Sequence, residues 1–185
     1  GGLAGLSLSI QLARQGYSVA LFEKEKYPFH KVCGEYISFE SWNFLEGLGI
    51  PLSDLQLPMI SNLIVSAPNG KQLKQDLPLG GFGISRYKLD AMLKGIAEQS
   101  GVTLFENNKV TDVNFLNEEF LLQTTQGKFT CFICCGSYGK RSNLDIKWNR
   151  TFVNKKPGKL NNYLAVKYHI KTNFPADSIA LHNFK

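Results

Sequence analysis

Gly2, Ala4 and Gly5 open an apolar helical stretch, and one carboxylate, Glu23, follows the next apolar run. Gly2 and Gly5 have the spacing of the last two glycines of G-x-G-x-x-G, the turn that carries a chain from a strand into a helix around a dinucleotide. Gly1 falls at the intervening position, so the first glycine and its strand are expected upstream of residue 1. A bare Gly2 lets the backbone approach a pyrophosphate, and Gly5 lets the helix pack closely on a sheet. The helix start then offers free N–H groups and a partial positive charge to phosphate oxygens.

The flanking elements must position these groups. Leu6, Ile10 and Ala13 recur at helical spacing, and Gly16 is placed to end the helix. Residues 17–22 form a short apolar run suited to a buried parallel strand. Glu23 closes it about 20 residues after the glycines, where an acid binds a ribose hydroxyl pair. The alternative for Glu23 is a solvated strand end beside Lys24. Pro28 then marks an extended loop, and Cys33-Gly34 precedes a helical segment at 39–48, capped by Ser38 and closed near Gly47 or Gly49. Cys33 before a glycine fits close passage of a flat cofactor, and it equally fits a buried filler.

Gly2-Leu3-Ala4-Gly5, Glu23-Lys24 and Tyr27-Pro28-Phe29-His30-Lys31-Val32-Cys33-Gly34-Glu35 together resemble the geranylgeranyl reductase family of flavoproteins. That family lies within the group of para-hydroxybenzoate hydroxylase and the flavin-dependent halogenases. The K-x-C-G-E piece is the most specific part. The resemblance implies an α/β fold, with an FAD/NAD(P)-binding Rossmann-like domain of the glutathione-reductase type and part of a mixed β-sheet substrate domain. The FAD-binding domain is expected at 1–58 and 84–150, with its first strand missing, and the partial substrate sheet at 59–83 and 151–185. FAD is the implied cofactor. Gly2, Ala4, Gly5, Glu23, Lys24, Cys33, Gly34, Arg86 and Val110 are the implied cofactor-binding residues, and Cys33 is the nearest candidate for a catalytic acid.

Later segments fit that frame. Asn69-Gly70 between β-like runs at 63–66 and 71–74 signals a hairpin, and the glycine-rich 79–83 leads back from it. Leu89, Leu93, Ile96 and Ala97 give a helix an apolar face that Gly101 closes. This helix starts with the R-x-x-L-D-x-x-L piece of the flavoprotein group, from which Arg86 is carried over. A positive charge at a helix start is mildly unfavourable, so Arg86 asks for a reason beyond the surface. Strands are expected at 102–105, 109–113 and 120–124, followed by a buried strand at 129–135 in which Cys131, Cys134 and Cys135 serve as small hydrophobes. By resemblance, the Val110 backbone touches the adenine, while plain strand packing is its alternative. Residues 136–145 occupy the place of A-D-G-x-x-S, with Gly139 and Ser142 retained and Tyr138 where the group carries Asp. That departure weighs against NAD(P)H-linked hydroxylation. A β-like alternation at 163–170 and an apolar run at 179–185 are expected to return to the substrate sheet.

The net charge of +6 is concentrated between Lys140 and Lys171. That excess suits an anionic substrate, phosphates or peripheral contact with a membrane surface, or else a solvated face. No nucleic-acid module is recognisable, no zinc-ligand pairing is present, and the clustered cysteines suit a reducing, cytoplasmic setting. His30, His169 and His182 are read as structural.

The implied function is flavin-dependent reduction of carbon–carbon double bonds in a prenyl or other lipophilic substrate, with NAD(P)H or a ferredoxin-like protein as electron donor. The alternatives are a monooxygenase or halogenase-like enzyme, and an isolated fragment without activity. Trp42 and Trp148 stand alone and form no halogenase tryptophan motif. Residues 1–185 by themselves are expected to bind FAD weakly or not at all.

Overall fold

A computed structural model describes residues 1–139, 142–153 and 165–184. In chain order the elements are α1 (Leu3–Arg14), β1 (Ala20–Phe22), β2 (Tyr36–Ser38), α2 (Trp42–Gly47), β3 (Met59–Ser66), β4 (Gln72–Gly83), α3 (Arg86–Gln99), β5 (Thr103–Phe105), β6 (Val110–Leu116), β7 (Glu119–Thr124), β8 (Gly127–Cys131), α4 (Asn143–Lys147) and β9 (Ser178–His182). The chain divides into two compact units, one of Gly1–His30 with Asp90–Ala165 and one of Lys31–Leu89 with Val166–Lys185.

In the first unit, α1 forms where the glycines give way to the Leu6/Ile10 stripe, and both of these side chains are fully buried. Gly16 ends the helix at φ +84°, a conformation that costs glycine little. β1 and β5 pair in parallel, with Leu21 opposite Leu104. The turn before β5 is closed by a bond from the Val102 N–H to the Ala97 carbonyl at 3.0 Å. β6, β7 and β8 form an antiparallel meander. Its first turn uses Asn117 and Glu118, both at positive φ, which matches the twist of a tight hairpin. Phe22 stacks on Phe105 at 4.9 Å, and Phe129 of β8 meets both rings at 4.9 Å, so one aromatic cluster joins the parallel pair to the meander.

The expected buried strand at 129–135 is corrected. β8 stops at Cys131, whose partner Phe120 ends the register with β7. Beyond it the ladder supplies no partner, and Phe132 and Ile133 are 76% and 77% exposed. An apolar run specifies burial only where another element covers it. Cys131 and Cys134 are half-buried and Cys135 is exposed. Burial pushes the Cys131 and Cys134 thiols up, away from the reactive thiolate.

The second unit is built on the four-stranded sheet β2-β4-β3-β9, antiparallel except for the parallel β3/β9 pair. The expected hairpin forms between β3 and β4, with Gly70 at φ +82°. The glycine-rich 79–83 is the end of the long β4 rather than a separate connection. There Gly80 sits at φ +65° with its Cβ position 2.7 Å from the Ile60 carbonyl oxygen, beside an irregularity in β3 between Ile60 and Asn62. Phe82 is fully buried against the Trp42 ring at 5.0 Å. The expected helix at 39–48 is one 3₁₀ turn over Phe39–Ser41, capped by the Ser38 hydroxyl, followed by the six-residue α2. Of the strand expected at 163–170, residues 163 and 164 lie outside the described residues, and 165–170 pair with no described strand. Two-residue alternation is not enough to make a strand unless an edge strand pairs with it. Among the described residues, no helix is long and apolar enough to cross a membrane.

Candidate functional site

Gly2 is the N-cap of α1, with extended backbone, no side-chain cap and no acid in the first helical turn. The first intrahelical bond runs from the Leu6 N–H to the Gly2 carbonyl at 2.9 Å. The amides of Leu3, Ala4 and Gly5 therefore precede the helical ladder, the arrangement that receives an anion at a helix start. A Cβ on Gly5 would lie 2.6 Å from Ser137 Oγ and 3.2 Å from Leu21 Cδ1. Gly5 thus seats α1 against both β1 and the segment after β8.

Glu23 follows β1 and is 8% exposed. Its N–H donates to the Phe105 carbonyl at 2.9 Å, extending the parallel pairing, and its carbonyl accepts the Asn108 N–H at 2.9 Å. Its carboxylate accepts the Glu25 N–H at 3.1 Å, and its other oxygen lies 3.5 Å from the Gly1 nitrogen. The structure therefore brings Glu23 to the opening glycine loop. Sequence reasoning passed over Gly1, placing it at a position open to any residue. A Cβ there would lie 2.5 Å from both Glu23 Cβ and Tyr27 Oη, and the Tyr27 hydroxyl donates to the Gly1 carbonyl. The tight contact was foreshadowed only by the residue being glycine. The neighbouring Lys24 is exposed and faces Glu25 at 3.7 Å. Val110 begins β6 opposite Thr124, and the buried Asn108 just before it carries a side-chain N–H group that has no partner among the described residues.

In the second unit, Cys33 is half-buried, with its sulfur accepting the Glu35 N–H at 3.5 Å. A Cβ on Gly34 would meet no described atom within 4 Å. Arg86 is the first residue of α3, and its N–H donates to Glu35 Oε1 at 2.9 Å. Glu35, which the sequence reading assigned no role, thus ties Cys33 to Arg86. Gly34, Glu35, Ile60, Ile84, Phe174 and Ile179 are among the residues lining a cavity of about 520 Å³.

Tyr138, at the position of the expected Asp, donates its hydroxyl to the buried Asp145 at 3.0 Å and leans on Trp148, with Arg150 over the indole at 5.2 Å. Burial, then the bond to Asp145, pushes the Tyr138 hydroxyl pKa up. Gly139 at φ +76° and Ser142, which caps α4, keep local roles. In the basic 140–171 region, Lys140, Arg141, Lys155, Lys156 and Lys159 lie outside the described residues. Lys147 pairs with Asp112 at 3.5 Å and Lys167 with Glu35, so part of the charge is matched internally. His182 shares a 2.6 Å hydrogen bond with the Ser66 hydroxyl.

No family model matches the chain. Over 128 residues it is 30% identical to conditioned medium factor receptor 1 of Dictyostelium discoideum, covering 62% of this chain and 25% of that protein. Over 154 residues it is 26% identical to an uncharacterized protein of Methanosarcina barkeri, covering 82% of this chain and 38% of that one. Among solved structures it is similar to halogenase PltM in complex with phloroglucinol and FAD, with a TM-score of 0.66, 16% identity, and 80% and 35% of the two chains covered. It is also similar to the myxobacterial FAD-dependent chondrochloren halogenase CndH, with a TM-score of 0.56, 24% identity, and 70% and 33% covered. A flavoprotein/dehydrogenase of Cytophaga hutchinsonii gives a TM-score of 0.57 at 19% identity, with 70% and 35% covered. The chain therefore spans well under half the length of these proteins, and it has the α/β fold of FAD-binding Rossmann-type flavoenzymes with part of a mixed sheet.

Proposed function

We propose that this chain carries the dinucleotide-binding part of an FAD-dependent oxidoreductase. The observation that supports it most is the place of Glu23, a buried carboxylate brought by β1 to the mouth of an uncapped, glycine-opened helix. The residues fit the cofactor. The amides at Leu3, Ala4 and Gly5 would receive the pyrophosphate, and Glu23 the ribose hydroxyls. Lys24 and the Val110 backbone would lie along the adenosine. Cys33, Gly34 and Arg86 are carried as cofactor contacts by resemblance, with Cys33 as the candidate proton donor. When bound, the flavin supplies hydride chemistry, while the protein supplies binding, orientation and exclusion of water.

The finer reading is reduction of a carbon–carbon double bond in a prenyl or other lipophilic substrate, using electrons from NAD(P)H or a ferredoxin-like protein. The half-apolar cavity beside Gly34 supports a lipophilic ligand. The expected basic contact of 140–171 with a membrane surface belongs to the same proposal. Monooxygenation or halogenation is the second reading, favoured by the fold shared with halogenases. The FAD domain is proposed at 1–58 with 84–150, and the substrate sheet at 59–83 with 151–185.

The test is reconstitution with FAD of the full open reading frame that encodes these residues. The flavin absorbance band is expected to persist after desalting, and FAD is expected in the denatured supernatant. A protein that retains no flavin overturns the proposal. Aerobic reoxidation of the reduced flavin separates the two chemistries: slow reoxidation accompanied by turnover of prenyl lipids supports the reductase, and rapid peroxide-forming reoxidation supports the second reading.

A further inference from the structure

Glu35 is the one residue of the 33–35 loop that is held from several sides, and all its partners lie in the second unit. It is a non-glycine residue at φ +59°, a backbone conformation that costs free energy and persists only where its surroundings enforce it. Its carbonyl accepts the Ile84 N–H at 3.0 Å, at the end of β4. Its own N–H reaches Cys33 Sγ at 3.5 Å. Its carboxylate accepts the Arg86 N–H at 2.9 Å and the Lys167 ammonium, with His169 Nε2 at 3.9 Å. Three segments therefore converge on one residue: the β4–α3 junction on its backbone carbonyl, and the start of α3 and the 165–170 segment on its carboxylate. An ordinary solvated glutamate would carry none of the carboxylate bonds.

We infer that Glu35 is the positioning residue of the Cys33–Gly34 loop, pinning it to the β4–α3 junction and to Lys167. This rests on the reading of that loop as cofactor-facing. Charge-assisted bonds to a carboxylate are about twice as strong as neutral ones, and a loop held at its backbone and side chain together moves little. Burial pushes the Glu35 carboxyl pKa up, but the bonds from Lys167 and Arg86 and the charges of Lys167 and His169 outweigh it and hold the group below its ordinary range. The anionic form that the pin needs is therefore the form the surroundings favour.

The first arm of the test needs no flavin. Cys33 alkylation by iodoacetamide is followed peptide by peptide in the wild type, E35A and E35Q, with the exposed Cys135 as the internal reference. Cys33 alkylation is expected to quicken ~10-fold in E35A, equivalent to about 1.4 kcal/mol. E35Q keeps an acceptor for the Arg86 N–H and should fall between. K167M, which leaves the loop sequence intact, should shift Cys33 in the same direction. Cys33 alkylation unchanged in E35A and K167M relative to Cys135 overturns the inference. The second arm reads the midpoint potential of reconstituted E35Q. Removing a negative charge that offsets Lys167 is expected to raise it, and an unaltered potential in flavin-loaded E35Q overturns the cofactor-facing part. Failure to bind flavin at all would count against the proposed function and would leave the first arm to stand or fall by itself.

Discussion

Replacing Gly5 by Ala tests the packing on which the opening helix depends. The added methyl would sit 2.6 Å from Ser137 Oγ, 3.2 Å from Leu21 Cδ1 and 3.4 Å from Ser137 Cβ. Overpacking of this kind costs ~1–3 kcal/mol. Ala returns up to ~1 kcal/mol of helix propensity, and less in a first turn. The balance is a loss of ~1 kcal/mol, which lowers the urea midpoint by ~0.5 M for a slope near ~2 kcal/mol/M. The shortest contact is with a hydroxyl oxygen, so the S137A background removes it and leaves the ordinary 3.4 Å contact with Cβ and the 3.2 Å contact with Leu21 Cδ1, the end of a side chain that can give by a few tenths of an ångström. In that background G5A should cost close to nothing, giving a coupling energy of ~1 kcal/mol in the double-mutant cycle. Urea unfolding of the four proteins, followed by tryptophan fluorescence, measures it. Additive effects, or a G5A variant more stable than the wild type, would refute the claim that Gly5 is glycine because of its close contacts.

Two further outcomes follow from the site. E23A removes the carboxylate beside the glycine loop, and losing charged hydrogen bonds worth ~1.5–3 kcal/mol should weaken FAD binding by ~10–150-fold in calorimetric titration; unchanged affinity would remove Glu23 from the ribose site. The Glu35 carboxyl, faced by Lys167, His169 and the Arg86 N–H, is held below its ordinary value of 4.5. Its contribution to stability is therefore present above pH 4.5 and lost as pH falls from there through the lowered folded value. Stability of E35Q should fall less steeply than that of the wild type over this acid range, and parallel acid profiles would contradict it.

Much of the local structure was legible because it is local. The Leu6/Ile10 spacing, Gly16 at positive φ and Asn69-Gly70 each specify geometry within a few residues, and α1, its end and the β3–β4 hairpin follow them. The apolar run at 129–135 misled because burial requires a covering element, which no described element supplies over Phe132 and Ile133. The 165–170 alternation misled for a related reason, since a strand needs a pairing partner as well as a pattern. Gly1 was legible as a glycine but not as a contact, because Tyr27 and Glu23 reach it through the fold.

The amino-acid sequence by itself determined the glycine-opened helix, the strand that ends in Glu23 and the meander, through periodicity, turn chemistry and glycine's freedom. Only the tertiary structure decided that Tyr27 packs on Gly1, that Tyr138 is spent on the buried Asp145, and that Glu35 gathers Arg86, Lys167 and His169. Those pairings join residues distant along the chain or turned toward one another by packing. A carboxylate's partners are set by which donors the folded backbone delivers to within hydrogen-bonding distance, and no spacing rule along the sequence encodes that.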